Sequence, residues 1–389
     1  MEISNDKKIN NCPICKSKKL FKFLERYNVP VHENRIYKQR DLALKINRGI
    51  ISLVCCQNCG FIFNQTFELE KLDYSINYKN SQIHSSFFNN YISNLVNHLQ
   101  KKIKNSNILE IGCGDGYFLK KLVNKKNNNF GIGYDPSYTG SLIIKDRLHF
   151  IPKFFTSKHI SINPDIIISR HVIEHVPDVI SFLTEIRNTS KKSMVFLETP
   201  TAEWSLLNKQ IWDFTYEHCS LFTSSSITNA LKVTGFKCVN IKKVFNEQYI
   251  FVEATPYSKF NSKKCYKFNS KKIVEITKDF LVAKKILINN IKSQLNTLSK
   301  SKIAIWGAAG KGVNFVNMFD PKHEIIDCLI DMNPDKLNQY VPGTGHKIVD
   351  YSQIEKRKIK FILVMNPNYY REIESLLTSK NIKVDLIKI

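Results

Sequence analysis

Two kinds of apolar run alternate along this chain. Compact blocks such as Asn107-Ile-Leu-Glu-Ile111, Phe130-Gly-Ile-Gly-Tyr134, Asp165-Ile-Ile-Ile-Ser169 and Met194-Val-Phe-Leu197 are short and almost wholly apolar. Between them apolar residues recur every three or four positions, as in Tyr117-Phe-Leu-Lys-Lys-Leu122. The blocks predict strands buried on both faces, and the spaced runs predict the helices that cover them. Lys237 to Phe245 and Gln248 to Ala254 flank the turn Asn246-Glu247 and predict an antiparallel hairpin that closes this unit. A long amphipathic stretch, Lys271 to Leu298, follows and predicts one helix. Beyond it Ile303-Ala-Ile-Trp306, helical Val313 to Met318, Ile325 to Ile330 and Lys360 to Val364 repeat the strand–helix–strand pattern. The expected fold class is therefore α/β, with a small N-terminal domain at 1–67, a Rossmann-like domain at 68–256 and a second Rossmann-like domain at 257–389.

The first segment is too small to bury much core, and its cysteines suggest what replaces one. Cys12-Pro-Ile-Cys15 and Cys56-Gln-Asn-Cys59 are two CxxC knuckles, the spacing of a structural zinc site with four thiolate ligands. A redox role is the competing reading, disfavoured because there are two knuckles and neither sits in a βα unit. Cys55 adjoins the second knuckle and can replace Cys56 only by changing its spacing.

In the middle segment the first strand runs into Gly112-Cys-Gly-Asp-Gly116. The run from Glu110 to Gly116, Glu-x-Gly-x-Gly-x-Gly, resembles the first motif of class I methyltransferases more than the dinucleotide fingerprint. Such glycines let backbone approach a cofactor closely. Asp135 ends the next strand, where an acid can accept hydrogen bonds from ribose hydroxyls. The closing hairpin points the same way, since dinucleotide-binding domains continue with parallel strands. S-adenosylmethionine is the expected cofactor, held by Glu110, Gly112, Cys113, Gly114, Gly116, Tyr117, Asp135 and Pro136, with Arg170 and His171 at the end of a further strand. NAD and a cofactor-free structural loop are the rival readings; Arg170 and His171 also fit satisfied rim residues.

Zinc knuckles, a methyltransferase core and a second Rossmann-like unit, in that order, resemble the deoxysugar C-methyltransferase family. The most specific stretches are Gly307-Ala-Ala-Gly-Lys-Gly312, Asp331-Met-Asn-Pro-Asp-Lys336 and Gln339-Tyr-Val-Pro-Gly-Thr344. His171-Val-Ile-Glu-His-Val-Pro-Asp178, Glu198-Thr-Pro200 and Tyr216-Glu-His218 complete the likeness. The resemblance implies methyl transfer to carbon on a nucleotide-linked 4-keto deoxysugar, with the pairs Glu174-His175 and Glu217-His218 lining the site. It implies Tyr78, Glu198, Lys311 and Asn333 as substrate contacts. Thr215 stands where better-studied members carry a tyrosine, and a tyrosine has moved next door to Tyr216. Removing a proton beside a carbonyl needs a base with pKa near neutrality, and histidine is the side chain that meets this unperturbed. His218 is the expected base, Glu217 its orienting partner, and His175 and Tyr216 the donors to the enolate oxygen. His175 also fits a helix cap, Tyr216 and Trp212 a core, and Lys311 an ordinary surface lysine. Methylation of oxygen or nitrogen is the alternative reaction.

A formal charge of +24 raises nucleic acid as a partner. Lysine outnumbers arginine roughly five to one, however, and is spread among asparagines along the whole chain. Nucleic-acid surfaces cluster charge and favour arginine, so no specific nucleic-acid partner is expected. The positive field suits capture of a diphosphate. No apolar run reaches the roughly 18–20 residues of a membrane span. Met1 to Asn11 is polar, so a cytoplasmic protein with no membrane partner, acting as a monomer, is expected.

Overall fold

A computed structural model describes residues 8–72, 82–123, 128–259 and 268–389. Three sheets organise it. The central sheet has eight strands in the order Phe236–Val244, Tyr249–Pro256, Met194–Pro200, Ile166–Arg170, Asn107–Ile111, Phe130–Tyr134, Leu148–Ile151 and Ile143–Ile144. Pairing is parallel through the inner strands, while Tyr249–Pro256 runs antiparallel to Met194–Pro200 and to Phe236–Val244. The hairpin read from the sequence is thus the feature that ends this sheet. Ile108, Leu109, Ile167, Ile168, Phe196 and Leu197 are fully buried, because helices cover both faces.

The C-terminal sheet is entirely parallel, in the order Lys347–Val349, Ile326–Ile330, Lys302–Trp306, Ile359–Val364 and Asp385–Lys388. In both α/β sheets the first strand lies between neighbours whose connections leave in opposite directions. That is the switch point at which open α/β sheets leave a crevice beyond their strand ends. Here the two crevices face each other across one cavity of about 1450 Å³.

The small N-terminal sheet is antiparallel, in the order Leu20–Pro30, Arg48–Cys56, Ile62–Asn64 and Ser220–Leu221. Its last strand comes from the middle of the chain. The 28-residue helix Lys271–Leu298 lies against its first strand. Phe280 meets Phe23 and Phe214 edge-on at ring distances of 6.1 and 5.7 Å. The Lys284 ammonium reaches the Phe23 carbonyl at 3.1 Å. Residues from all three segments therefore share one core. Among the described residues no helix is long and apolar enough to cross a membrane.

Candidate active site and cysteine cluster

Cys12, Cys15, Cys56 and Cys59 come together with all their sulfurs within 4.8 Å of one another. Cys12 Sγ lies 3.5 Å from Cys59 Sγ, and Cys15 Sγ lies 3.5 Å from Cys56 Sγ. None is in a disulfide. Zinc–thiolate bonds of about 2.3 Å at tetrahedral angles put ligand sulfurs about 3.7 Å apart, so the donor set fits that ion. Neighbouring residues on a strand point to opposite faces, which is why Cys55 is excluded. Its side chain enters the hydrophobic core while Cys56 turns to the cluster.

The loop after Asn107–Ile111 is shaped by three left-handed glycines, Gly112, Gly114 and Gly116, at φ of 75°, 55° and 75°. A side chain on Gly112 would begin 2.1 Å from Val172 Cγ2, so the loop can pack there only as glycine. A Cβ on Gly114 would meet nothing within 4 Å; this turn faces the cavity. Gly116 instead precedes the helix Tyr117–Leu122 and packs towards Phe150, away from the lining. Asp135 braces the loop: one carboxylate oxygen accepts from the Gly114 N–H at 2.8 Å, the other from the Ser137 N–H at 2.8 Å and hydroxyl at 2.6 Å. Cys113, Tyr117 and Asp135 line the cavity, whereas Pro136, expected beside them, does not.

Glu110 marks the part of the cavity that suits a cationic group. It lines the cavity yet is 2% exposed, and its Oε2 is buried without a hydrogen-bond partner among the described residues. Burial, opposed by Arg170 and reinforced by Asp135 and Asp115, raises its pKa to about 8. A ligand carrying positive charge would satisfy it. S-adenosylmethionine has a cationic sulfonium and an ammonium, and the open turn at Gly114 leaves room for its amino-acid part. The residues present therefore fit this cofactor.

Behind the loop a polar layer sets the cavity floor. Glu198 is fully buried and holds Arg170 at 2.9 Å, His171 at 2.8 Å and the hydroxyl of Tyr91. Glu198 was expected to touch substrate; it is instead the anchor beneath residues that line the cavity. Arg170 stacks over Phe118 at 4.3 Å. His171 adopts φ of 54°, a left-handed conformation that costs a non-glycine residue about 1–3 kcal/mol. Its N–H donates to the Glu198 carbonyl at 2.8 Å, and its ring lies between Glu198 and Glu174. Burial opposes its charge, but the two carboxylates outweigh burial and raise its pKa to about 9. Arg170 and His171 are thus charge-paired, as satisfied rim residues are, and both also line the cavity.

Glu174, His175 and His218 bring a carboxylate oxygen and two imidazole nitrogens within 4.8 Å of one another. The two rings meet edge-to-face at 4.8 Å. Glu174 accepts from the Thr199 hydroxyl at 3.0 Å, and although burial disfavours its charge, His171, His175 and His218 hold its pKa near 2. His218 goes the other way. Burial first, then repulsion from His175, lowers its pKa to about 4, so the ring is neutral at physiological pH with a lone pair available. All three line the cavity.

Several expected contacts fall elsewhere. Tyr216 is fully buried against Phe67, and its hydroxyl accepts from the Glu68 N–H at 3.0 Å; it cannot reach an enolate in the cavity. Glu217 is 1% exposed and points away from the cavity, where it accepts from the Glu33 N–H at 3.0 Å. Lys311 does line the cavity, but its ammonium pairs with Asp213 and lies 4.8 Å from the Trp204 ring, so it is neither a surface lysine nor an unpaired cation awaiting phosphate. Asn333 lines the cavity and caps the turn Pro334–Lys336 through the Asp335 N–H. Tyr78 lies outside the described residues. Thr215, in the place of a tyrosine, is buried beside the cavity, 3.1 Å from where a Gly310 Cβ would stand. Sequence reasoning missed Asn34 at the lining and Asp213 as the Lys311 partner, because no local motif marks either.

Comparison with known proteins adds the class. Residues 84–241 match the model of a methyltransferase domain, and residues 258–382 match that of a C-methyltransferase C-terminal domain. No curated protein matches the chain. Solved structures cover less than half of the chain in the following two cases. N,N-8-amino-8-demethyl-D-riboflavin dimethyltransferase from Streptomyces davawensis is 15% identical with TM-score 0.37, over 44% of this chain and 55% of that one. The 1,6-didemethyltoxoflavin-N1-methyltransferase of Burkholderia thailandensis, solved with S-adenosylhomocysteine, is 12% identical with TM-score 0.33, over 44% and 79%. The two domain matches lie end to end on the chain, on either side of the cavity, and together with the glycine loop they identify a C-methyltransferase family member that joins a class I, S-adenosylmethionine-dependent methyltransferase core to a C-methyltransferase C-terminal domain.

Proposed function

We propose that the enzyme methylates carbon next to the carbonyl of a nucleotide-linked 4-keto deoxysugar, with His218 as base. The observation that carries this reading is the neutral His218 imidazole, set against ionised Glu174 in a cavity walled by both α/β domains. Bound at Glu110, Gly114 and Asp135, S-adenosylmethionine supplies an electrophilic methyl group. His218 takes the proton from the carbon beside the carbonyl. Glu174 stabilises the imidazolium that results, offsetting the burial that made the ring a weak base. His175 donates to the developing enolate oxygen, the point where charge accumulates. The deprotonated carbon is then the nucleophile to which the cofactor held there would supply its methyl group. The second glycine loop and Asn333 face the same space and suit the nucleotide end of the substrate.

Mass spectrometry of the enzyme with S-adenosylmethionine and a panel of nucleotide-linked sugars tests the reading. A 4-keto sugar gains one methyl on carbon, and His218→Ala loses the reaction about 10²–10⁴-fold while still binding cofactor. A methoxy or N-methyl product would move the acceptor to oxygen or nitrogen. Because His218 charges only near its pKa of about 4, kcat/KM on the acid side holds to about pH 5 instead of falling from 6.5. We also propose that the four cysteines hold zinc, which metal analysis would find at one ion per chain and Cys12→Ser would abolish.

A further inference from the structure

The segment that carries His218 is gripped by the N-terminal sheet. Arg26, on the strand Leu20–Pro30, donates to the Phe214 carbonyl at 3.0 Å and to Asn314 Oδ1 at 3.1 Å. Just past that strand Val31, His32, Glu33 and Asn34 turn inward and are all buried. Glu33 and Glu217 form a reciprocal clasp there. The Tyr216 N–H donates to Glu33 Oε1 at 2.8 Å, and the Glu33 N–H donates to Glu217 Oε1 at 3.0 Å. Asn34 Nδ2 lies 3.5 Å from the other Glu217 oxygen, and His32 Nδ1 lies 3.6 Å from the first. The next residue is His218, whose own N–H is held by Thr215 Oγ1 at 3.3 Å.

We propose that Glu33 is a positioning residue for His218: its clasp on Tyr216 and Glu217 sets the direction in which the neighbouring imidazole enters the cavity. The grip falls on the two residues immediately before the histidine, and both carboxyl groups are 1% exposed, so solvent cannot take over either set of bonds. Two buried carboxylates side by side repel, and one way to relieve this is a proton on one of them. Burial, then Glu217, pushes the Glu33 carboxyl well above the usual range, against the pull of the Tyr216 N–H and Arg26. A neutral amide can replace a protonated carboxyl in such a clasp, whereas a methyl group cannot. The catalytic consequence rests on the proposed role of His218; the structural consequence does not.

The test uses the full chain with isotope-labelled histidine, the His218 resonance being assigned from a His218→Gln variant. His218 is faced by His175, Glu174, Glu217 and Asp213; burial, then His175, depresses its pKa, and the three carboxylates oppose that shift, so loss of burial raises it. Glu33→Ala should move the resonance and raise the His218 pKa by about one unit towards 6.5, while Glu33→Gln stays close to the parent. On the methyl acceptor, kcat should fall about 10–100-fold in Glu33→Ala with KM changed far less, as expected when a reacting group is misplaced by about an ångström. Glu33→Gln should recover most of that loss. Should Glu33→Ala not fold, Glu33→Asp, one methylene shorter, is read in the same way. An unmoved His218 resonance in the alanine or aspartate variant overturns the proposal, and so does a folded Glu33→Gln that is as impaired as Glu33→Ala. If the parent enzyme methylates no 4-keto sugar, the proposed reaction fails, but the resonance still decides whether Glu33 positions His218.

Discussion

The two glycine loops that face each other across the cavity are built alike and finished differently. In the central domain, Asp135 accepts the Gly114 N–H through one oxygen and the Ser137 N–H through the other. In the C-terminal domain, Asp331 accepts the Ala308 N–H at 2.9 Å through one oxygen and the Asn333 N–H at 2.9 Å through the other. The difference lies in where positive charge comes from. Lys336, 3% exposed, places its ammonium 3.0 Å from the Ala308 carbonyl and 3.7 Å from Asp331, so the second loop carries its own cation. The first loop has Glu110, a buried carboxyl with an unpartnered oxygen, and the lysine that reaches its backbone, Lys120, is exposed and donates to the Asp115 carbonyl at 2.8 Å. One loop therefore carries a buried lysine of its own, and the other presents a buried carboxyl that suits a cationic cofactor. Loop shape alone does not distinguish them.

The largest expected effect separates the loops by sterics. Gly112→Ala puts a methyl 2.1 Å from Val172 at φ of 75° and should weaken S-adenosylmethionine binding by about 100-fold or more in calorimetry. Gly307→Ala meets no atom within 4 Å, carries only the strain of φ at 109°, and should leave cofactor affinity unchanged. Equal effects would break the comparison.

Charge comes next. Glu110→Gln should weaken cofactor binding by about 10–100-fold, the cost of removing one partner from a buried charged contact. Lys336→Met should leave that affinity alone and lower the melting temperature instead, by an amount equivalent to about 3 kcal/mol, because it strands Asp331 and the Ala308 carbonyl. A Lys336→Met protein that lost cofactor and kept its stability would show that the second crevice takes part in cofactor binding after all.

The smallest effect is a pH dependence. Glu110 has a folded pKa of about 8 against 4.5 for the unfolded chain, so the cofactor-free fold binds the extra proton. Its stability should fall as pH rises from about 4.5 towards 8. A bound cation that lowers this pKa releases the proton, so affinity should tighten with rising pH up to about 8, by at most tenfold per unit. The thermal shift given by S-adenosylmethionine would then be larger at pH 8 than at pH 6, and Glu110→Gln should flatten it. A parent protein with no such slope would mean that Glu110 does not meet the cofactor's charge.

Legibility in the sequence followed locality. Glu110 to Gly116 and Asp135 could be read because a strand, a tight turn and the next strand's end are fixed by near neighbours and a set spacing. The same holds for the two CxxC knuckles, and strand alternation even explains why Cys55 turns away from Cys56. Gly116 and Pro136 apart, misassigned residues were those whose partners lie far along the chain. Tyr216 and Glu217 adjoin His218 and share its motif, but their side chains leave in other directions, one to Glu68 and the other to Glu33. Lys311 sits in a glycine loop that suggests phosphate, yet Asp213 neutralises it from another domain.

The sequence by itself determined the element types, the closing hairpin, the four clustered cysteines and the cofactor loop, because periodicity and short spacings record interactions between near neighbours. Only the tertiary structure decided that both crevices open on one cavity, that Lys336 sets its ammonium against the second loop, and that the N-terminal sheet grips the histidine segment. Those outcomes depend on burial and on charges brought together from distant positions, and a linear pattern carries no record of either.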